Sequence, residues 1–522
     1  MMSAAESGHA TAALPIQQLL DPAAYAHPAE QPRLIETHIS WVVLTGPFAY
    51  KIKKPVRYDF LDATTLELRK HYCEEELRLN RRLAPDLYLD VVPIALVAGR
   101  LRVNVSDAEP IEYAVRMRQF DTRDVLANLL TDLPNGQQVR PQEVIELARL
   151  LAHFHLDAPR SPRESAPSRT KALLDAVQGT NSQLTALDTQ ADSADRLARI
   201  LDWMRELAGK LESTLQARER EQYVRECHGD LHSGNVVRWR NALLPFDGID
   251  FDPDLRWIDV MNDAAFLVMD LVSRGRADLA LTLLDSYLEI TGDYGGVQLL
   301  PFYATYRALV RAKVDALAIE QCQADCGALR ERFQRRLQTA VHWIDRPRPT
   351  LVLMHGLSGS GKSWLSERLV AALPAVRMRS DVERKRLRSG PKDDLYTQEM
   401  NRRTYSRLAE CAESCLLAGL NVVVDATFLE RADRDLLRGV ARRLRTRFAI
   451  IACQASEATL RAQVRERTLA GTDVSDAGED VLTRQLDHST PLSIAECHEV
   501  VIARTHEPHI VERTVTALQH LV

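Results

Sequence analysis

The sequence predicts a multidomain protein in which an α+β part with two lobes is followed by an α/β domain built on a parallel sheet. The chain has 522 residues, of which 45% are hydrophobic and 27% charged, and such a length is typical of about three folding units in a globular protein. Two prolines within residues 345–350 favour an extended linker, because neither residue continues a helix. Before this linker, residues 34–115 are rich in strand patterns, whereas the chain from residue 141 onward is mostly helical.

A small β-rich part followed by a larger helical part predicts two lobes with a cleft between them. A sharply apolar strand begins directly after the proline-rich linker. We therefore predict five segments: an N-terminal arm (1–30), a β-rich lobe (31–120), a helical lobe (121–345), a proline-rich linker (346–350) and a C-terminal α/β domain (351–522).

Charge and hydropathy exclude several classes of protein. The formal net charge of -5 gives no global basic field that would attract nucleic acid or an anionic membrane. Residues 1–15 lack the basic and apolar regions of a secretory signal, and the most apolar stretch, residues 264–272, is too short to span a bilayer. We therefore predict no membrane partner and a cytoplasmic location, where the 8 cysteines are expected to be reduced thiols.

The strongest chemical motif before the linker is His-Gly-Asp at residues 228–230, followed by an asparagine at position 235. Phosphoryl transfer from ATP requires a carboxylate that accepts or orients the attacking hydroxyl, and an amide and a second carboxylate that hold Mg²⁺. An aspartate followed five residues later by an asparagine has the spacing of a kinase catalytic loop. A predicted hairpin, whose second strand ends at residues 246–252, returns a further aspartate to this loop.

This segment resembles the aminoglycoside phosphotransferase and choline kinase-like branch of the protein-kinase fold, which uses His-Gly-Asp, Asn and a later Ile-Asp-Phe or Ile-Asp-Trp. The resemblance implies that Asp230 is the catalytic base, that Asn235 is a Mg²⁺ ligand and that Asp250 is the principal Mg²⁺ carboxylate. Strand alternation puts Asp247 on the opposite face from Asp250. Asp252 shares the face of Asp250 and is the alternative metal ligand.

Kinases also need a lysine on the third strand, which holds the α- and β-phosphates, and a helix glutamate that fixes the lysine. Lys51 fits the alanine-to-lysine spacing of that strand, and Lys53, which points to the same face, is the alternative. Glu76 lies in a helix predicted over residues 64–83 and is the expected partner. No G-x-G-x-x-G motif precedes Lys51, which favours a small-molecule hydroxyl over a protein as the acceptor.

After the linker, residues 356–363 have the Walker A pattern G-x-x-x-x-G-K-S between an apolar strand and a helical pattern, which is the context of a phosphate-binding loop. Glycines let successive backbone N–H groups converge on phosphate oxygens, and the helix N-terminus adds its positive end. The lysine would reach the β- and γ-phosphates of ATP and the last hydroxyl would bind Mg²⁺. The predicted nucleotide-binding residues of this loop are Gly356, Ser358, Gly359, Ser360, Gly361, Lys362 and Ser363, the last of which is also a metal ligand.

The strands after this loop end in aspartates, at Asp381 and Asp425, where ligands bind in parallel sheets. The layout resembles the group of small P-loop kinases that includes polynucleotide kinase, gluconate kinase and zeta toxin. The resemblance implies that Asp381 activates the acceptor hydroxyl, that Asp425 is a Walker B-type metal carboxylate or a substrate contact, and that Arg461 and Arg465 belong to a lid. The structural alternatives are a helix cap for Asp381, a strand-end turn residue for Asp425 and a solvated helix face for Arg461 and Arg465.

Nearly the whole chain resembles bacterial proteins in which an aminoglycoside phosphotransferase-like part is fused to an ATP-binding P-loop part, described as an AAA-family ATPase. Residues 50–56, 76–83 and 256–263 carry this wider resemblance. It implies a bifunctional kinase that uses ATP and Mg²⁺ on small-molecule hydroxyl substrates. The alternatives are a single active kinase whose other module only senses ATP, and a nucleic-acid 5′-hydroxyl kinase in the C-terminal domain.

Overall fold

The structure is a computed structural model that describes residues 14–58, 61–131, 139–161, 168–186, 191–322, 325–388, 390, 397–470 and 479–521. The chain forms two compact units. Unit 1 contains Met1–Gln137 and His228–Trp257, and unit 2 contains Gln138–Cys227 and Ile258–Val522. The five linear segments predicted from the sequence stay predictions.

The regular elements follow one another in chain order. Up to residue 245 they are β1 (Arg33–Glu36), β2 (Ser40–Leu44), β3 (Phe48–Lys53), β4 (Arg57–Tyr58), β5 (Leu61–Asp62), α1 (Leu66–Asn80), β6 (Tyr88–Val97), β7 (Arg100–Val103), β8 (Pro110–Arg118), α2 (Leu126–Leu129), α3 (Pro141–Asp157), α4 (Arg169–Ala186), α5 (Ala191–Arg220), β9 (Val224–Glu226), β10 (Val236–Trp239) and β11 (Ala242–Pro245). From residue 253 they are α6 (Pro253–Arg256), β12 (Trp257–Asp259), α7 (Val260–Ser273), α8 (Ala277–Thr291), α9 (Tyr294–Val297), α10 (Leu300–Glu320), α11 (Gly327–Ile344), β13 (Thr350–His355), α12 (Lys362–Ala372), β14 (Ala375–Arg379), α13 (Ser380–Arg386), α14 (Gln398–Leu417), β15 (Asn421–Asp425), α15 (Arg431–Leu444), β16 (Arg447–Cys453), α16 (Glu457–Ala470), α17 (Glu479–His488), β17 (Val500–Ala503) and α18 (Ile510–Leu521).

Unit 1 is built on an antiparallel sheet with the strand order β1-β2-β3-β8-β6-β7. Strands β2 and β3 pair in antiparallel orientation, with Val43 opposite Tyr50. The predicted helix is α1, which begins after the N-cap Thr65 and contacts β6 and β8. Because side chains alternate along a strand, Tyr50 and Ile52 enter one hydrophobic cluster, and Ala49 enters the other with Cys73 of α1.

The described part of the predicted N-terminal arm packs against the sheet of unit 1. Leu19 and Tyr25 are buried in the same cluster as Tyr50 and Ile52, and the hydroxyl of Tyr25 donates to the carbonyl of Leu19 at 2.7 Å. Residues 1–13 lie outside the described residues.

The hairpin β10–β11 pairs Val236 with Pro245, but the prediction that its second strand continues to residue 252 is wrong. The strand ends at Pro245, and Asp247 adopts a left-handed backbone with φ of 60°. This conformation is incompatible with an extended strand, and aspartate is among the residues that tolerate it. Residues 253–256 then form the short helix α6, with Asp252 as its N-cap.

Unit 2 combines the helices α3–α5 and α7–α11 with an α/β domain. The sheet of that domain has the strand order β14-β15-β13-β16-β17, and its paired strands are parallel. Four successive residues of the central strand β13 are buried, as expected for a parallel strand that is covered on both faces. The predicted order of an α+β kinase-like part and an α/β domain with a parallel sheet is therefore confirmed.

The expectation that all cysteines are reduced is wrong for one pair. The structure joins Cys322 and Cys326 in a disulfide, with a Cα–Cα distance of 6.2 Å. The pair lies between two helices, because α10 ends at Glu320 and α11 begins at Gly327. Within the described residues, no helix is both long and apolar enough to cross a membrane.

Candidate active sites

In unit 1, a buried glutamate joins the two candidate lysines of β3. Glu76 is 0% exposed, and its two carboxylate oxygens lie 2.8 Å from Lys51 Nζ and 2.7 Å from Lys53 Nζ. Burial alone would raise the pKa of Glu76, but the two lysines lower it to about 2. Glu76 is therefore ionised at neutral pH and holds both ammonium groups on the α1 side of the sheet.

The two lysines differ in their second partners. Lys51 Nζ lies 2.5 Å from Asp247 Oδ1, whereas Lys53 forms an ion pair with Asp250. The side chain of Asp247 is 47% exposed and that of Asp250 only 6%. Burial raises the pKa of Asp250, although Lys53 opposes this change. Asp247 thus offers accessible carboxylate oxygens beside Lys51, while Asp250 is enclosed with Lys53.

The third aspartate considered from the sequence has a local role. Asp252 Oδ1 accepts a hydrogen bond of 2.8 Å from the backbone N–H of Asp254, at the start of α6. This is the usual contact of a helix N-cap, so the geometry gives no support to Asp252 as a metal ligand.

The predicted catalytic loop brings Asp230 and Asn235 together. Asn235 Nδ2 donates to Asp230 Oδ2 and to its backbone carbonyl, both at 3.0 Å. The backbone N–H of Phe246 donates to the carbonyl of Asn235 at 2.9 Å, which connects this loop to the end of the hairpin. The Asp230 side chain is 35% exposed, so its carboxylate remains accessible to a substrate hydroxyl.

Asp247 is held in place by two contacts from the sheet and helix of unit 1. Its backbone N–H donates to the Tyr88 hydroxyl at 3.0 Å, and the N–H of Gly248 donates to Asn80 Oδ1 at 2.8 Å. Sequence reasoning passed over Asp247 as a metal ligand because it assumed an extended strand. The signal in the sequence that could have identified Asp247 as a candidate ligand is its position just after the end of a strand.

In unit 2, the P-loop connects β13 to α12. Gly356, Gly359 and Gly361 all have positive φ, between 82° and 144°. A Cβ on Gly359 would lie 2.6 Å from the carbonyl of Leu460, and a Cβ on Gly361 would lie 2.5 Å from Thr505 Oγ1. Glycine is required here by both the backbone conformation and the close neighbours.

The polar groups of this loop fit a phosphate ligand. The Ser360 hydroxyl is buried and, among the described residues, has no hydrogen-bond partner. Lys362 Nζ donates to the Leu357 carbonyl at 2.7 Å, and the backbone N–H of Ser358 donates to Gln485 Oε1 at 2.9 Å. A buried hydroxyl without a partner is costly, and phosphate oxygens would supply the missing acceptors.

A cavity of about 1360 Å³ in unit 2 brings the P-loop together with both strand-end aspartates, Asp381 and Asp425. Asp425 is buried and accepts a hydrogen bond of 3.0 Å from the Ser366 hydroxyl. Asp381 Oδ1 lies 3.0 Å from Arg384 Nη1. The P-loop residues that line the cavity are Ser358, Gly359, Gly361, Lys362 and Ser363.

The two arginines expected in a lid do not line this cavity. Arg461 Nη2 lies 2.9 Å from Glu457 Oε1 on the same helix, and Arg465 forms an ion pair with Glu479. Gln485 and Arg484 of α17 line the cavity instead, and no spacing in the sequence indicated them. The prediction of a lid role depended on tertiary contacts that helical periodicity does not define.

Sequence reasoning also missed Asp433, which lines the cavity at the start of α15. Burial, with a smaller contribution from the neighbouring Glu430, raises the pKa of this carboxyl to about 7, although Arg434 opposes the change. A carboxyl with such a pKa both accepts and donates hydrogen bonds near neutral pH, which suits contacts with hydroxyl groups.

These geometries define a class of protein, a kinase-like phosphotransferase module followed by a P-loop kinase-like domain. Comparison with known families agrees. The phosphotransferase enzyme family (APH) matches residues 67–300, and an AAA domain (AAA_33) matches residues 351–492.

Full-length relatives identify the family more closely. An uncharacterized protein of Mycobacterium tuberculosis (strain ATCC 25618 / H37Rv) and one of Mycobacterium bovis (strain ATCC BAA-935 / AF2122/97) are each 30% identical over 483 residues, which cover 89% of this chain and 93% of the relative. The chain belongs to the same family as these proteins.

Several solved structures are similar to parts of the chain. A gluconokinase from Sinorhizobium meliloti 1021 is 24% identical and covers 34% of this chain and 95% of its own, with a TM-score of 0.27. The amicoumacin kinase hAmiN, in complex with AMP-PNP, Ca²⁺ and Ami, is 16% identical and covers 62% of this chain and 93% of its own, with a TM-score of 0.37. The Mycobacterium tuberculosis APS kinase CysC, in complex with AMPPNP and APS, is 20% identical and covers 33% and 99%, with a TM-score of 0.26.

Proposed function

We propose that this chain is a bifunctional ATP-dependent phosphotransferase that transfers the γ-phosphoryl group of ATP to hydroxyl groups of small molecules at two separate sites. The observation that carries the proposal is the completeness of both sets of side chains. Unit 1 contains a lysine–glutamate pair and an aspartate–asparagine pair, and one cavity of unit 2 is lined by a P-loop lysine and two strand-end aspartates.

At the site of unit 1, Lys51 binds the phosphates of ATP and Glu76 keeps the lysine in position. The acceptor hydroxyl attacks the γ-phosphorus, the bond to the β-phosphate oxygen breaks, and Asp230 takes the proton of the hydroxyl. Asn235 and the accessible Asp247 are the proposed metal ligands, and Asp250 stabilises Lys53. Mg²⁺, when bound, neutralises charge on the phosphates.

At the site of unit 2, the P-loop amides and Lys362 bind the phosphates of a second ATP. Ser363 and Asp425 are the residues that would hold Mg²⁺. Asp381, oriented by its 3.0 Å contact with Arg384, takes the proton of the acceptor hydroxyl.

The cavity of unit 2 favours a small molecule over a nucleic acid. Its described lining has as many acidic as basic side chains, whereas a nucleic-acid site presents a predominantly basic surface. Asp433, which lines the cavity, adds a carboxyl group that would disfavour a polyanionic acceptor.

The test is incubation of the full chain with γ-labelled ATP and fractionated pools of small hydroxyl compounds. The variants are Asp230→Asn and Lys362→Ala, with Asp202→Asn and Lys210→Ala as matched controls, because the side chains of Asp202 and Lys210 are 73% and 67% exposed on α5. We expect each active-site variant to lose one labelled product and the controls to lose neither. Retention of both products in either variant would refute the corresponding site, and loss of both in one variant would refute two independent reactions.

A further inference from the structure

Within unit 2, helix α8 lies against the edge strand of the parallel sheet. Strand β14 is the outermost strand beside β15, and it contacts α8. The backbone N–H of Arg377 in β14 donates to Asp285 Oδ1 of α8 at 2.6 Å. A carboxylate from the helical part thus satisfies a backbone donor on the edge strand, beyond which no other described strand is paired.

A second acidic residue of α8 extends this contact toward the cavity. Glu289 Oε1 lies 3.2 Å from Arg379 Nη1, and its other oxygen lies 3.9 Å from Arg377 Nη2. Arg379 is the last residue of β14 and lines the P-loop cavity. Asp285 and Glu289 therefore contact the two arginines of β14, whose last residue directly precedes Ser380.

The C-terminus of α8 is bound by two arginines of the α/β domain. Arg386 of α13 donates to the carbonyls of Glu289 at 2.8 Å and Ile290 at 3.4 Å, and Arg407 of α14 donates to the carbonyl of Gly292 at 3.1 Å. The last carbonyls of a helix lack partners within the helix, and cations are favourable at its negative end.

This arginine contact is closely packed. Glu383, which is 0% exposed, lies 3.2 Å from Arg386 Nε and 3.4 Å from Arg407 Nε. Gly292 has φ of 66°, and a Cβ at this position would collide with the Arg386 guanidinium. The arrangement has no space for a side chain at residue 292, so the fit between α8 and α13 is specific.

The contacts bracket Asp381 on both sides. Arg377 and Arg379 precede it on β14, and Arg386 ends the short helix α13, in whose first turn Asp381 lies. We propose that α8 of the kinase-like half is the positioning element for Asp381, acting through Asp285, Glu289 and the C-terminal carbonyls that bind Arg386. The inference depends on the proposed role of Asp381 and adds that the P-loop site is complete only with the helical half in place.

The positioning residues act on Asp381 indirectly, so their loss changes the rate of transfer more than the binding of ATP. A displacement of a catalytic group by about 1 Å costs on the order of 100-fold in rate. Helix α12, which follows the P-loop, also contacts α8, but the described polar contacts of Asp285 and Glu289 are with β14, and Arg386 binds the end of α8 from α13. We therefore expect kcat to fall while the KM for ATP stays within about two-fold of the parent value. The contacts that bind ATP equally in the ground state and in the transition state are unaffected.

The experiment compares Asp285→Ala, Asp285→Asn, Glu289→Gln and Asp381→Asn in the full chain carrying Asp230→Asn, which silences the site of unit 1. Asp278→Ala is the matched control, because Asp278 lies on α8 but pairs with Arg276 and is 53% exposed. Hydrogen exchange of residues 375–387 is measured together with phosphoryl transfer at the P-loop site. The exchange measurement gives a result even without a known acceptor.

We expect Asp285→Ala to raise exchange in residues 375–387 about ten-fold and to lower kcat at least ten-fold, because one hydrogen bond to a shielded donor is lost. Asp285→Asn retains an acceptor oxygen and is expected to stay within about three-fold of the parent. Glu289→Gln, which loses only the ion pairs, is expected to give an intermediate loss of kcat.

The measurements distinguish a failure of the positioning role proposed for α8 from a failure of the catalytic role proposed for Asp381. If Asp381→Asn abolishes transfer but Asp285→Ala and Glu289→Gln match Asp278→Ala in exchange and kcat, the positioning role of α8 is refuted. If Asp381→Asn leaves transfer unchanged while Asp285→Ala still raises exchange, the function proposed for Asp381 is wrong, and α8 only covers the edge strand. Equal losses in Asp285→Ala and Asp285→Asn would also refute the proposed hydrogen-bond contact.

Discussion

Substitution of Glu76 by glutamine tests the centre of the site in unit 1. The change keeps the size of the side chain but removes the charge that faces both lysines of β3. The pKa of about 2, against an ordinary value of 4.5, corresponds to ~3 kcal/mol of favourable interaction for the ionised form. Removal of one partner from a buried ion pair typically costs about 3–5 kcal/mol, so we expect unit 1 to lose about 3 kcal/mol of stability.

The expected loss has a defined pH dependence. Because the folded-state pKa of Glu76 is below its unfolded value, its stabilising contribution is fully present above about pH 4.5 and is lost as the pH falls toward 2. Glu76→Gln has no titrating group here, so the stability difference between wild type and variant should shrink over that interval.

The assay is equilibrium urea denaturation between about pH 2.5 and 7, with hydrogen exchange of the β3 amides as the local probe of unit 1. Glu74→Gln is the control, since Glu74 lies on the same helix with its side chain 56% exposed and 3.8 Å from Lys70. Exposed pairs of this kind contribute at most about 1 kcal/mol. If Glu76→Gln destabilised unit 1 no more than Glu74→Gln at pH 7, the charge of Glu76 would not hold the two lysines.

Three further predictions concern the metal, the P-loop and pH. Asp247→Asn should raise the Mg²⁺ concentration for half-maximal transfer at the site of unit 1 at least ten-fold. Asp250→Asn should chiefly lower the stability of unit 1. If a metal titration showed the ten-fold change for Asp250→Asn and not for Asp247→Asn, the metal would be assigned to Asp250. Gly361→Ala should weaken binding of a non-hydrolysable ATP analogue in unit 2 by at least ten-fold, because its φ is 82° and Thr505 is adjacent; unchanged affinity in calorimetry would contradict this. Burial raises the pKa of Asp285 to about 7, despite the nearby Arg377, so its contribution to stability is present below about pH 4 and is lost as the pH rises through 7. Asp285→Asn should therefore gain stability relative to wild type over that interval, and parallel stability curves would refute the shift.

Local patterns predicted the parts of the protein that depend on near neighbours in the chain. The P-loop was predictable because a strand, a glycine-rich turn and a helix are consecutive, and Asp230 and Asn235 because they share one short loop. In both loops, backbone geometry over a few residues determines where the side chains point. Lys51 and Glu76 are 25 positions apart, and their pairing was expected from the needs of a kinase site rather than from a local pattern.

The features that the sequence did not reveal depend on backbone exceptions or distant contacts. Alternation along a strand misplaced Asp247, because its left-handed backbone ends the extended conformation. Helical periodicity could not indicate that Arg465 pairs with Glu479, 14 residues away. The contact of Asp285 with Arg377 joins residues 92 positions apart, and no local pattern encodes it.

The covered edge of β14 has a consequence for attempts to truncate the protein. An exposed edge strand offers unpaired N–H and C=O groups and readily recruits a strand from another molecule. A fragment that begins at residue 351 would lack α8 and would leave the Arg377 amide without its acceptor. Such a fragment is expected to self-associate through β14, so a C-terminal fragment intended to remain monomeric should retain residues 277–292.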